Sequence, residues 1–197
     1  MYRDMRERAV HYLLTRFEIP ATKIGELEPY MRFREIAKDT ILLRPGDVCQ
    51  QGYLVTKGCL RSFVTDAKGK EHVIQFAPED WIISDQQSIM NGAPAIIYID
   101  AVEDTVALVL DHPLTDKIGE LSPGRSFFHS GLLVNNLRAV QKRLVQLLSA
   151  TAEERYLDFL RTYPDMSLRL PLHMIASYIG VAPSSLSRIR AQLVNKN

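Results

Sequence analysis

Residues 170–194, LPLHMIASYIGVAPSSLSRIRAQLV, predict two short helices joined by a tight turn. We expect the first helix to begin near Pro171, since proline is well tolerated in a first helical turn. It should end at Gly180, because glycine readily adopts the left-handed conformation that terminates helices. The second helix is expected over residues 183–194. This stretch therefore predicts a helical C-terminal module.

The steric pattern of this module is that of a helix-turn-helix. Ala176 lies four residues before Gly180, so the two helices can approach closely and the chain can turn sharply between them. Apolar side chains at helical spacing form the small core expected between the helices: Ile175, Ile179, Val181, Leu186 and Ile189. In DNA-binding proteins with this motif, the second helix enters the major groove.

The exposed side of the second helix suits a polyanion. The residues expected to face the groove are Pro183, Ser184, Ser185, Ser187, Arg188 and Arg190. Hydroxyls can contact bases or phosphates, and an arginine can bond bidentately to guanine. No acidic residue lies between Pro183 and Asn197. Taken alone, the stretch also fits an ordinary αα-hairpin whose Ser/Arg face is solvated.

The composition is that of an ordinary globular protein and excludes several classes. The 197 residues carry a formal net charge of +1, so any affinity for nucleic acid must be local. Cys49 and Cys59 form no CxxC pair, which argues against a disulfide framework or a metal centre. No run of 18 apolar residues exists, and the charged start lacks the apolar core of a signal peptide. We expect a cytoplasmic protein without a membrane span.

The part of the chain before this module changes from helical to strand-like patterns. Residues 3–17 predict an amphipathic helix, and residues 21–31 a second short one. Between residues 33 and 110, short β-prone runs alternate with turn signals. These runs are TILL (40–43), GYLVTKG (52–58), CLRSFVT (59–65), EHVIQFA (71–77), IIYIDAV (96–102) and TVALVL (105–110). Their number and spacing favour an antiparallel jelly roll, which can enclose a small ligand.

A long helix is predicted to follow the strands. Residues 111–116 are expected to lead into it, and it should run over residues 126–148. Its apolar residues recur at helical spacing: Phe127, Leu133, Val134, Leu137, Val140, Leu144, Leu147 and Leu148. A helix of this length, about 34 Å at 1.5 Å per residue, is longer than a small roll can cover. A coiled-coil-like seam between two copies of the chain is therefore expected.

A capping box then marks the start of the next helix, because Thr151 is followed three residues later by Glu154. We therefore predict an α+β protein with three parts. Residues 1–125 form an effector-sensing β-roll domain with N-terminal helices, residues 126–149 the dimerisation helix, and residues 150–197 the helix-turn-helix domain.

This order of parts resembles the Crp/Fnr family of bacterial transcription regulators, relatives of catabolite activator protein. The resemblance runs from about Phe33 to Leu193. It is carried by RPGD (44–47), YLVTKGCLR (53–61), the PED turn before Trp81, GAP…IDAVED (92–104), SATAEERYLDFLRTYP (149–164) and the helix-turn-helix. It implies a double-stranded jelly roll like that of cyclic-nucleotide-binding domains. It also implies a homodimer on a palindromic operator, an effector in the roll, and RNA polymerase as a further partner.

The chain departs from the family where members bind cyclic nucleotides. Those members carry a Gly-Glu pair for the ribose, and an Arg after a G-x-P turn for the phosphate. Here Ser84 and Asp85 stand near the first place, and Ala95 and Ile96 follow the turn at the second. Burying a phosphate without its cationic partner is costly. We expect these four residues to mark an effector pocket that does not bind cyclic AMP, and either takes another ligand or is vestigial.

Two further expectations come from the C-terminal stretch. Arg188 matches the guanine-reading arginine of the family, whereas Ser184 and Pro183 differ from many members, so the operator sequence should differ from that of the catabolite activator. The sequence ends at Asn197, directly after the second helix, where many relatives continue into a β-wing. We therefore expect fewer phosphate contacts and a modest, salt-sensitive affinity.

Two other classes of protein are alternatives to a DNA-binding regulator. A cupin-type enzyme needs a His-x-His motif with further ligands, and none occurs. There is no nucleophile elbow or Gly-rich phosphate loop either, so we expect no enzyme activity, no catalytic or metal-binding residues and no cofactor. A ligand-sensing module without DNA-binding activity is the remaining alternative.

Overall fold

A computed structural model describes the backbone of residues 2–122 and 127–196, and the side chains of residues 3–122 and 137–194. The chain forms two compact units. The first contains Met1–Ser62 and Phe76–Val134, and the second contains Phe63–Gln75 and Asn135–Asn197. The division expected at residues 125 and 149 stays a prediction.

Eight strands in the described part of the chain form two four-stranded sheets. The strands are β1 (Arg32–Ile36), β2 (Ile41–Leu43), β3 (Gly52–Lys57), β4 (Leu60–Thr65), β5 (Glu71–Ala77), β6 (Ile82–Ile83), β7 (Tyr98–Ala101) and β8 (Thr105–Leu110). One sheet has the order β1-β8-β3-β6 and the other β2-β7-β4-β5. Strand β8 pairs antiparallel with β1 and β3, and β7 pairs antiparallel with β2. The expected α+β class with a β-roll is confirmed.

Helices precede, interrupt and follow the strands. They are α1 (Tyr2–Arg16), a 3₁₀ helix (Ala21–Tyr30), α2 (Gln86–Asn91), α3 (His112–Leu121), α4 (Phe127–Ser149), α5 (Ala152–Thr162), α6 (Met166–Arg169), α7 (Leu172–Ile179) and α8 (Pro183–Lys196). None of the helices in the described ranges is long and apolar enough to cross a lipid bilayer.

The first unit buries two clusters of apolar side chains. One cluster combines residues of both sheets, including Leu60 and Ile99 from one sheet and Val55 and Ala107 from the other. In the second cluster, α1, the 3₁₀ helix and α3 pack on side chains of β3 and β8 such as Leu54. This two-sided burial explains the continuous apolar run of β8, which a half-exposed strand would not need.

The helix after the last strand corrects one expectation. Residues 111–116 do not lead into the long helix, because they begin the separate helix α3. The Asp111 carboxylate accepts a hydrogen bond from the Leu114 N–H and caps this helix, and Pro113 occupies its first turn. The long helix is observed from Phe127, and its expected start at Ser126 lies outside the described residues. The side chains of Phe127, Leu133 and Val134 also lie outside them.

A buried ion pair lies between two neighbouring strands of the second sheet. Arg61 of β4 and Asp100 of β7 are 5% and 8% exposed. Nε of Arg61 lies 2.8 Å from Oδ1 of Asp100, and Nη2 lies 2.9 Å from Oδ2. This bidentate geometry satisfies both groups, which would be costly to bury alone.

We predict that Arg61→Met destabilises the first unit by about 3–5 kcal/mol, because it leaves the Asp100 carboxylate buried and uncompensated. Urea unfolding followed by the fluorescence of Trp81 measures this unit, since Trp81 is the only tryptophan and packs against its core.

The double variant Arg61→Met/Asp100→Leu should recover most of the loss, because both charges are then replaced by apolar groups. As a control, Arg3→Met breaks only the exposed pair with Glu7 and should change stability by less than about 0.5 kcal/mol. Equal stability of Arg61→Met and the wild type would contradict the assigned role of the pair.

Candidate nucleic-acid interface

The turn between α7 and α8 has the geometry expected of a helix-turn-helix. Helix α7 ends at Gly180, whose φ of 75° lies in the left-handed region. The Val181 N–H donates to the Ala176 carbonyl at 3.0 Å and closes the helix. A Cβ at Gly180 would lie 3.2 Å from Cδ2 of Leu147, so both conformation and space favour glycine here.

The core between the two helices contains the residues expected from the sequence. Ala176 and Leu186 are fully buried, so the absence of a larger side chain at Ala176 lets α8 approach α7. Ile175, Ile179 and Ile189 are also buried, whereas Val181 is half-buried. The close approach fixes the direction in which α8 leaves the turn.

The six residues predicted to face DNA are brought together between residues 183 and 190 of α8. Ser185 is half-buried. The other five residues are exposed: Pro183, Ser184, Ser187, Arg188 and Arg190. Nη2 of Arg188 lies 3.5 Å from the hydroxyl oxygen of Ser185, and the Ser187 hydroxyl donates to the Pro183 carbonyl at 3.1 Å. Two guanidinium groups and three hydroxyls thus lie near one helix end that carries no acidic residue.

Sequence reasoning missed an arginine that supports this helix pair. Nε of Arg155, on α5, donates to the carbonyl of Ile179 at 2.7 Å, and Nη1 donates to the carbonyl of Ala150 at 2.6 Å. Arg155 therefore joins the C-terminal ends of α7 and α4, where carbonyls lack helical partners. The nearby capping box marks only the start of α5 and carries no signal for this long-range role.

That capping box is confirmed. The Thr151 hydroxyl accepts from the Glu154 N–H, and the Glu154 carboxylate accepts from the Thr151 N–H and hydroxyl. These hydrogen bonds, that from the backbone N–H above all, lower the pKa of Glu154 below its ordinary value. The charged form of Glu154 is thereby favoured at the helix start.

The four residues predicted for an effector pocket are placed differently from one another. Asp85 is 8% exposed, and its carboxylate caps α2 by accepting a hydrogen bond from the Ser88 N–H at 3.0 Å. Ala95 is buried, and its backbone bonds to Gly46 and Asp47. Ile96 is 73% exposed.

Only Ser84 of these four lines the small open cleft between α2, β8 and α3. The polar residues lining this cleft are Gln50, Ser84, Gln86, Asp111, His112 and Thr115. The structure therefore does not gather Ser84, Asp85, Ala95 and Ile96 around this cleft.

Comparison with known proteins agrees with the architecture. Residues 33–121 match the family model of the cyclic nucleotide-binding domain. The transcriptional activator protein FnrA of Stutzerimonas stutzeri is 26% identical over 172 residues, which cover 80% of this chain and 68% of FnrA. The transcriptional activator protein anr of Pseudomonas aeruginosa is 26% identical over 170 residues, with the same coverage of both chains.

Solved structures share the fold at lower identity. FixK2 from Bradyrhizobium japonicum superposes with a TM-score of 0.73 at 18% identity, covering 84% of this chain and 85% of FixK2. The catabolite activator protein of Thermus thermophilus gives a TM-score of 0.57 at 22% identity, covering 94% of this chain and 87% of the other. The chain thus contains a region that matches the cyclic nucleotide-binding domain, is similar to the activators FnrA and anr, and shares its fold with FixK2 and the catabolite activator protein.

Proposed function

We propose that the chain is a homodimeric, DNA-binding transcription regulator whose recognition helix, residues 183–194, reads the major groove of a palindromic operator. The observation that carries this proposal is the exposed, acid-free face of α8, held by the close α7–α8 packing around Ala176 and Gly180. The names of FnrA and anr as transcriptional activators support it. Such a regulator acts in the cytoplasm, with RNA polymerase as a further partner.

The proposed dimer forms through α4. Four apolar residues of this helix follow the 3-4-3 spacing of a coiled-coil seam. These residues are Leu137, Val140, Leu144 and Leu147, and they are 57%, 55%, 55% and 43% exposed. A stripe of this kind on a helix is costly to leave in water, and a second copy of the same helix covers it with matching spacing.

The proposed sensor region does not bind cyclic AMP. Ser84, Asp85, Ala95 and Ile96 supply no cation for the cyclic phosphate, and the Asp85 carboxylate is already engaged at the start of α2. We retain these residues as the proposed effector region for a ligand of other chemistry, or as a vestige of a nucleotide site.

DNA selection from a random library, with purified protein at a stated salt concentration and no added ligand, tests the proposal. An enriched palindrome with half-sites one helical turn apart, about 34 Å, is the expected result. Absence of enrichment both in buffer and in cell extract would favour the alternative of a ligand-sensing module without DNA-binding activity.

We predict that Arg188→Ala abolishes preference at one base pair of each half-site, costing about 1–3 kcal/mol per half-site, because a bidentate contact to guanine is lost. Fluorescence anisotropy with the selected operator and with single-base variants measures this preference. Arg3→Ala removes the same charge from α1 and should leave base preference unchanged. Unaltered preference in Arg188→Ala would contradict the role of this arginine in reading the operator.

We predict that Leu144→Lys dissociates the dimer, because each of the two copies loses the burial of a leucine, worth about 1.5–3 kcal/mol. The dimer dissociation constant should rise at least about 100-fold, as measured by sedimentation velocity. Leu168→Lys is the matched control, since Leu168 is 89% exposed and lies outside α4. A dimer that survives Leu144→Lys would show that α4 is not the seam.

We predict no saturable binding of cyclic AMP by isothermal titration calorimetry up to millimolar concentration. The reason is the missing cation: no charge-assisted hydrogen bond replaces the water around the phosphate. Saturable heat with a stoichiometry near one per chain would contradict this prediction.

A further inference from the structure

The outer edge of β5 has partners on the C-terminal helices. Across the turn between β4 and β5, the Asp66 N–H donates to the Lys70 carbonyl at 3.0 Å. Backbone groups alternate in direction along a strand, so those of Lys70 and of every second residue after it point toward β4. The backbone N–H and carbonyl groups of the intervening residues Glu71 and Val73 point away from β4. Since β5 is the last strand of its sheet, these groups belong to an open sheet edge.

One hydroxyl of α7 pairs with two of these edge groups. The Ser177 hydroxyl accepts from the Val73 N–H at 2.9 Å and donates to the Glu71 carbonyl at 2.8 Å. It therefore occupies the place that a neighbouring strand would take in a continued sheet. The two bonds bridge 104 and 106 positions of the sequence.

An arginine of α4 completes the edge and ties it to the same helix. Nη2 of Arg143 donates to the Val73 carbonyl at 2.6 Å and to the Tyr178 carbonyl at 2.9 Å. Its guanidinium carbon lies 4.1 Å from the centre of the Tyr178 ring, a cation–π contact. Burial lowers the pKa of Arg143, whose ordinary value is so high that the charge persists.

We propose that Ser177 and Arg143 are positioning residues that dock the helix-turn-helix on the β5 edge, and that the docked arrangement is the one that binds DNA. This inference rests on the proposed function. Docking engages α7 and leaves Ser184 and Arg188 of α8 exposed, so the hairpin does not cover the recognition face.

The test combines amide hydrogen exchange with operator binding, on the full chain. In the wild type the Val73 amide should be protected although it lies on a sheet edge. In Ser177→Ala the exchange of the Val73 amide should become at least about tenfold faster, and operator affinity should fall about tenfold. A factor of ten corresponds to about 1.4 kcal/mol, the net free energy of one hydrogen bond. Ser177→Thr, which keeps the hydroxyl, should restore both readouts.

Two more variants separate positioning from general damage. Arg143→Lys keeps the charge but cannot bond two carbonyls while stacking on Tyr178, so it should behave like Ser177→Ala. Ser149→Ala is the matched control, because the Ser149 hydroxyl bonds only to the Val145 carbonyl of its own helix among the contacts of the described chain. Unchanged methyl NMR shifts of Ile175 and Ile189 establish that the helix-turn-helix remains folded.

Each other outcome overturns a defined part of the proposal. An unprotected Val73 amide in the wild type would show that α7 is not docked on the β5 edge. Fast exchange of the Val73 amide with unchanged operator affinity in Ser177→Ala would show that the contact has no positioning role. Tighter operator binding by this variant would show that the contact inhibits DNA binding. A wild type that binds no DNA while Val73 is protected overturns the proposed function, and the positioning role with it, but leaves the docked edge in place.

Discussion

The ion pair of Arg61 and Asp100 is the constraint on which the hairpin region depends. Two charges buried inside a sheet are tolerable only while both hydrogen bonds are made, so the pair fixes β4 against β7 in one alignment. Strand β4 then continues into the hairpin whose tip joins the C-terminal unit. The pair therefore holds the strand residues from which the hairpin continues.

The C-terminal unit satisfies backbone groups with side chains at several of its junctions. Ser177 and Arg143 serve the edge of β5, Arg155 serves the ends of two helices, and Thr151 with Glu154 serves the start of α5. Hydroxyl and guanidinium groups suit this task because they can form hydrogen bonds with backbone atoms of residues far away in the sequence. Such bonds are directional, so each of them holds one backbone group in a defined position.

Local patterns were sufficient to predict much of the fold and of the candidate site. The turn at Gly180 and the cap at Thr151 depend on neighbours within four residues, so the sequence displays them directly. Strand β1 was missed because most of its side chains are exposed and leave no apolar run. The roles of Ser177 and Asp100 were also missed, because their partners lie 104 and 39 positions away and no short-range pattern records them.

The pairing of the β5 edge has a consequence for how the chain can be divided. A fragment lacking the C-terminal helices would present Glu71 and Val73 on an uncovered strand, EHVIQFA, that is rich in β-forming residues. Such an edge is a template for strand addition from another molecule, so an isolated roll is exposed to self-association and amyloid-like stacking. The C-terminal helices thereby also protect this strand edge from self-association, so the solubility of the roll depends on their presence.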